Sequence, residues 1–122
     1  MNTITTVGRA GAGKNVVNTL DVNTQGPLEK PSEIDEVTSK LHILICVMGV
    51  RKLLVNLTSL ETVSRAAIDV FSRFYREMVT HKRKMAFWCA NDEIILALRQ
   101  AKADQLPAIV KSYAEGFLFL AA

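Results

Sequence analysis

Four short clusters in this chain carry residue types that can do chemistry. Gly8 to Lys14 follows G-x-x-x-x-G-K, the core of a loop whose backbone amides cradle phosphate. Gly8, Gly13 and Lys14 would be its nucleotide contacts, and Ile4 to Val7 could supply the strand before it. The Ser or Thr that should hold Mg²⁺ is Asn15, however, and the best apolar strand reads Leu54-Val55-Asn56-Leu57 with no Asp to hold the metal from the other side. The segment therefore reads as a glycine-rich leader, with a nucleotide-binding module as the weaker alternative. His42 and Cys46 are four residues apart, on one helical face, yet in an apolar run where a thiol is usually inert. Two ligands alone make no zinc site, so no metal is expected. His81-Lys82-Arg83-Lys84 is a basic cluster between a helix and a strand, suited to the negative pole of that helix. It reads as a solvated turn; an acidic partner or anionic surface is the sharper alternative.

The fourth cluster is the most informative. Lys52 to Leu57 reads as a buried strand, and Glu61 to Ala67 as a loop that starts a helix. The crevice outside the carboxyl end of a strand in an open α/β sheet is where ligands and partners are met. Ser64 can cap the helix by accepting from the backbone amide of Ala66 or Ala67. Arg65 beside it is a residue type suited to anchoring interfaces. The loop has no general base, no metal cluster and no phosphate cradle. It reads as a recognition surface formed by Glu61, Thr62, Ser64, Arg65, Ala66 and Asp69, not as a catalytic site, and no cofactor is implied.

The elements that must position this loop follow from periodicity. Residues 1–14 read as a flexible tail with a possible β segment at 4–7, and Val16 to Val22 as a strand. Asn23 to Leu28 carries turn chemistry and reads as a strand end or loop. Ser32 and Asp35 form an S-x-x-D box that predicts a helix capped by Ser32, with Pro31 just outside. Ile34, Val37, Leu41, Leu44 and Met48 recur at helical spacing as its buried stripe, and Gly49 is its stop. A second helix spans Arg65 to His81, burying Ala67, Phe71, Phe74 and Met78. Met85 to Cys89 is a further buried strand, with Trp88 in the core, and Asn91 caps a third helix carrying Ile94, Ile95, Leu98 and Ala101. Leu106 to Val110 is the last strand, and Ser112 caps a closing helix whose Phe117 to Leu120 packs on the sheet or offers a dimer patch. Strands alternating with helices predict one mostly parallel sheet of four to five strands with about four helices.

Composition bounds the partners. At 122 residues the chain fits one domain, and 49% hydrophobic residues can fill a core. A net charge of only +3 makes nucleic acid a poor partner. Cys46 and Cys89 read as buried free thiols, with a single disulfide as the alternative. The longest apolar run, Leu41 to Val50, is about half the length of a membrane span, so no direct membrane insertion is expected and the location is read as cytoplasmic.

The ordered spacing from about Asn15 to Ala122 resembles the STAS domain (sulfate transporter and anti-sigma factor antagonist). The resemblance starts at Gly26-Pro27-Leu28 and runs through Val50 to Leu57, where Asn56 takes the family's usual Asp or Asn. It continues through the second helix, Met85 to Cys89 and the closing helix. It implies a single STAS-like α/β domain over 15–122 and a regulatory, non-enzymatic role through protein contact. The implied partner is an anti-sigma factor, a histidine-kinase-like ATPase, and a homodimer is compatible with it. A structural, assembly or transporter-accessory subunit is the alternative. Bacterial members typically carry Asp-Ser-Ser-Gly where the second helix begins, and a partner kinase phosphorylates the first Ser. Counting from Asn56-Leu57, those positions are Ser64, Arg65, Ala66 and Ala67 here. Arg65 has no hydroxyl, and Ser64 could substitute only if the loop shifts by one residue.

Overall fold

A computed structural model of the chain describes residues 3–24, 26–100 and 108–122. The central element is β4 (Lys52–Asn56), whose Leu53, Leu54 and Val55 are all fully buried. Side chains on a strand alternate between faces, so three successive buried residues require cover on both sides. That cover exists. Leu53 and Val55 join a large core with α1 (Pro31–His42), α2 (Arg65–Thr80) and α3 (Asp92–Gln100), while Leu54 joins a smaller core under α4 (Tyr113–Ala121).

β4 lies in a five-stranded sheet ordered β1-β2-β4-β6-β7. β2 (Val17–Val22), β6 (Lys84–Trp88) and β7 (Ala108–Val110) continue it in parallel, and β1 (Thr5–Ala10) closes one edge antiparallel to β2. Phe71 of α2 meets Phe87 of β6 edge to face, with ring centroids 5.7 Å apart, which pins that helix over the sheet centre. A separate two-stranded parallel pair joins β3 (Gly26–Leu28) to β5 (Leu60–Val63). The sheet expectation holds: the described residues form four α-helices and a mostly parallel five-stranded sheet.

Several local expectations differ. Six residues of the stretch read as a tail form β1, paired with β2 from Thr5↔Val22 to Ala10↔Val17. The Glu36 carboxylate of α1 holds the start of that strand. It accepts from the amides of Ile4 and Thr5, each at 2.9 Å, and from the Thr5 hydroxyl at 2.6 Å. The first helix begins at Pro31, not after a Ser32 cap; Lys30 occupies the cap position without a side-chain bond. Proline needs no amide partner at the first helical position, so it takes that place. The segment 61–63, read as loop, is instead strand β5, because β3 supplies a pairing partner from far upstream.

The end of α1 differs most. Ile43–Val47 forms a π-turn closed by Met48 N–H to the Ile43 carbonyl at 2.8 Å. The extra residue rotates the last turn. Leu44 and Ile45 are buried, and Met48, expected in the buried stripe, is 62% exposed. Cys46, expected to be buried, is exposed for the same reason. Gly49 ends the segment with φ +67, and Val50 N–H reaches back to the Leu44 carbonyl. In the closing helix, Leu120 is buried and Phe117 half-buried, but Leu118 and Phe119 are exposed, so only one side of that run packs on the sheet. Ala101 and the start of the last strand at Leu106 lie outside the described residues.

Burial acts to raise the Glu36 pKa, but the Thr5 hydroxyl, the two amides and the charge of Lys40 outweigh it, and the net shift is downward. A depressed folded pKa stabilises the fold above the ordinary carboxylate range and loses that contribution as pH falls through the folded value. Glu36→Gln should therefore cost about 1–2 kcal/mol at neutral pH. Urea titrations should show the gap to the parent narrowing steadily on acidification; a constant gap would contradict the assignment.

Candidate functional site

β4 ends at Asn56, and this side chain organises the rim. Its amide donates to Asp21 Oδ1 on β2 at 2.8 Å. Its carbonyl oxygen accepts from the Thr58 backbone N–H at 3.0 Å and from the Thr58 hydroxyl at 2.7 Å. An Asx turn of this kind replaces the next rung of the ladder and turns the chain away from the sheet. The Leu57 amide bonds the Trp88 carbonyl at 2.9 Å, and the Leu57 side chain is fully buried, so the turn is anchored from below. β5 then runs along the rim with Glu61 and Thr62 exposed.

Asn91 ties this rim to α3. Its Oδ1 accepts from the amides of Glu93 at 2.9 Å and Ile94 at 3.4 Å, which is the expected cap. Its Nδ2 donates to the Glu61 carbonyl at 2.8 Å. This second bond fixes β5 and was not legible as a contact, since its partner is thirty residues away in sequence.

Ser64 is the N-cap of α2. Its Oγ accepts from the Ala67 amide at 3.3 Å, and its own amide bonds the Leu28 carbonyl at 3.0 Å. Arg65 follows, with its side chain 90% exposed and its Nε 3.6 Å from Asp69 Oδ1. Such a surface pair holds little energy, so the guanidinium stays available to another molecule. Ala66 is exposed and Ala67 buried. The expected residues Glu61, Thr62, Ser64, Arg65, Ala66 and Asp69 thus lie on one continuous rim from β5 into the first turns of α2, with Ser64 half-buried. Beside them a shallow cleft of about 270 Å³ opens between Val63, Arg65 and Ile68 on one side and Ala97 and Gln100 of α3 on the other.

The other clusters fall elsewhere. Gly8 lies within β1, and Gly13–Asn15 is a 3₁₀ turn that leads into β2. A phosphate cradle needs its loop to open a helix N-terminus. Here the pattern links two antiparallel strands, so Gly8, Gly13 and Lys14 have a hairpin role. Cys46 and Cys89 are both free thiols. Cys89 is buried, and burial pushes its thiol up, away from reactivity. Among the described residues no group of three His, Cys, Asp or Glu is placed to hold a metal ion, and no helix is long and apolar enough to cross a membrane.

Comparison with known proteins agrees with this architecture. The family profile described as STAS domain matches residues 14–116. The chain belongs to the STAS domain family. No curated protein sequence gives a significant match. Among solved structures, the anti-sigma factor antagonist SpoIIAA in its unphosphorylated form superimposes with a TM-score of 0.65 at 10% identity, over 93% of this chain and 96% of that one. A putative anti-sigma factor antagonist from Thermotoga maritima gives 0.72 at 10% identity, over 95% of each chain. An uncharacterised Shewanella loihica protein with a SpoIIAA-like fold gives 0.59 at 13% identity, over 95% of this chain and 93% of that one. At such identities the likeness is one of fold.

Asn56→Asp tests the rim directly. It replaces the donor to Asp21 with a second carboxylate, and like charges side by side favour sharing a proton. The variant should be about 1–2 kcal/mol less stable at neutral pH. Protonating one of the two adjacent carboxylates removes their repulsion, so stability should recover as pH falls into the acid range. Denaturant midpoints across pH report it, and a deficit that stays constant would place the two side chains apart.

Proposed function

We propose that this STAS domain is a protein-binding regulatory module of the anti-sigma factor antagonist kind, and that it meets its partner through the rim of Glu61, Thr62, Ser64, Arg65, Ala66 and Asp69. The observation that carries the reading is Arg65: an exposed guanidinium on the first turn of α2, at the position where the family's resemblance places the phosphoacceptor serine. The partner in this reading is a cytoplasmic, histidine-kinase-like anti-sigma factor, and the output is control of transcription. The domain acts by contact and not by catalysis.

Arg65 reverses the local charge that phosphoserine would bring, since a phosphate adds about −1.5 to −2. The partner surface therefore presents acidic groups, and binding is constitutive. Ser64 is a poor substitute acceptor, because its Oγ is held as the helix cap. Among the rim residues Arg65 is the one cation, against the carboxylates of Glu61 and Asp69, and its exposed guanidinium is the group that would become buried as the anchor of a contact.

Two measurements test the reading. Incubation with a histidine-kinase-like anti-sigma factor and ATP should leave the intact mass unchanged while the two proteins co-elute; quantitative phosphate addition in 61–67 would defeat the constitutive form. Titration calorimetry on Arg65→Glu should show binding weakened by about 1–3 kcal/mol. Unchanged affinity would move the interface off this rim.

A further inference from the structure

The end of the sheet opposite this rim is built differently. β4 and β6 begin there, and α1 and α2 end there. The π-turn that closes α1 leaves Val47 70% exposed and Met48 62% exposed, two of the most exposed large apolar side chains among the described residues, with Ile43 beside them at 44%. π-turns are rare and occur disproportionately at functional sites. An apolar cleft next to this tip is lined by His42, Ile43, Arg73 and Phe74, but neither Val47 nor Met48 lines it. The two side chains stand out from the turn.

Basic residues surround the tip. Arg51 follows it toward β4, and Lys82 and Arg83 lead toward β6, while Lys52 and Lys84 turn to the other face of the sheet and donate to the Ala121 and Ala122 carbonyls at the end of α4. Arg83 is fastened to the tip itself, donating to the Ile45 carbonyl at 2.9 Å. Neither 42–60 nor 78–91 contains an Asp or Glu. Glu77, on the last turn of α2, sits 3.4 Å from His81. The acidic residues Asp21, Glu61, Asp92 and Glu93 belong to the other end, where the parallel strands finish. The domain is therefore polarised along its strands.

Lys82 adds an independent sign. Like α1, α2 ends in a left-handed closure, with Arg83 N–H bonding the Met78 carbonyl at 2.8 Å and Lys82 at φ +59. Glycine is the residue that adopts this conformation without cost, and Gly49 does so at the end of α1. A lysine there is strained. Strain of this kind is held in place by the surrounding structure and clusters at functional sites.

From this we propose that the Val47–Met48 pole adsorbs to a bilayer surface bearing anionic headgroups. Val47 and Met48 sit among the headgroups, and Arg51, Lys82 and Arg83 meet their phosphates. An apolar tip ringed by cations matches a surface that is negatively charged outside and apolar beneath. The backbone stays outside the hydrocarbon, so the mode is peripheral. The α2 rim then faces away from the surface, available to a protein.

Flotation of the full chain with vesicles decides it. Vesicles of phosphatidylcholine with phosphatidylglycerol should carry the protein up, and phosphatidylcholine alone should not. Raised salt should release it. Lys82→Gly and Arg51→Gln should each lower the partition coefficient about fivefold, the effect expected for one basic residue near such a surface. Lys82→Gly should at the same time raise the melting temperature by a few degrees, which separates lost binding from lost fold. Val47→Asn combined with Met48→Gln should abolish flotation with the circular dichroism spectrum retained. Protein left at the bottom of the gradient with anionic vesicles overturns the proposal. So does equal binding to neutral vesicles, or a Lys82→Gly variant that floats like the parent; an acidic protein surface would then be the better match for this pole.

Discussion

Everything in this domain is arranged around a strand that cannot face water on either side. Leu53, Leu54 and Val55 have no exposed surface, and burying three such side chains contributes several kcal/mol only if a layer lies on each face of the sheet. The layers are unequal. Three helices cover one face and α4 alone covers the other. Gly116 permits the second contact, since a Cβ there would lie 2.9 Å from a Leu54 methyl. Because both faces are committed to packing, the strand's two ends are the places left for recognition.

The two ends differ in kind. At the carboxyl end, polar side chains close the backbone: Asn56 turns the chain, Asn91 ties β5 to α3, and Ser64 caps α2. Each of these groups satisfies backbone or side-chain partners close by, which stiffens a surface whose exposed members are then presented in fixed positions. At the amino end, helices finish in left-handed closures, and the residues between them are apolar or cationic. Helix C-termini carry partial negative charge, so the cations at this end are favourable to the fold as well as to any anionic surface.

In the proposed reading the carboxyl end makes the contact, and the resemblance to bacterial STAS members puts Arg65 where they carry the phosphoacceptor serine. An arginine cannot accept a phosphoryl group. The helix cap before it leaves the one nearby serine engaged with the backbone. The scaffold of the rim, the Asn56 turn and the Ser64 cap of α2, makes no bond to the Arg65 side chain, so its geometry does not depend on the residue at position 65.

Most of the fold is legible in the sequence, and so is the run of residues that lines the rim. Apolar runs at 53–55 and 85–89 demanded buried strands, the 3.6-residue stripe of α2 gave its buried face, and Ser64, Asn91 and Ser112 marked helix starts by local capping chemistry. These are short-range effects, complete within one turn or one strand. The pairing of β3 with β5, the Glu36 clasp on β1 and the Asn91 tether join residues about thirty or more positions apart, and no local pattern encodes such partners. The π-turn at the end of α1 belongs to the same class. Helical spacing alone assigned Met48 to the core, and only the need to bury Leu44 and Ile45 while closing on Gly49 turned it outward.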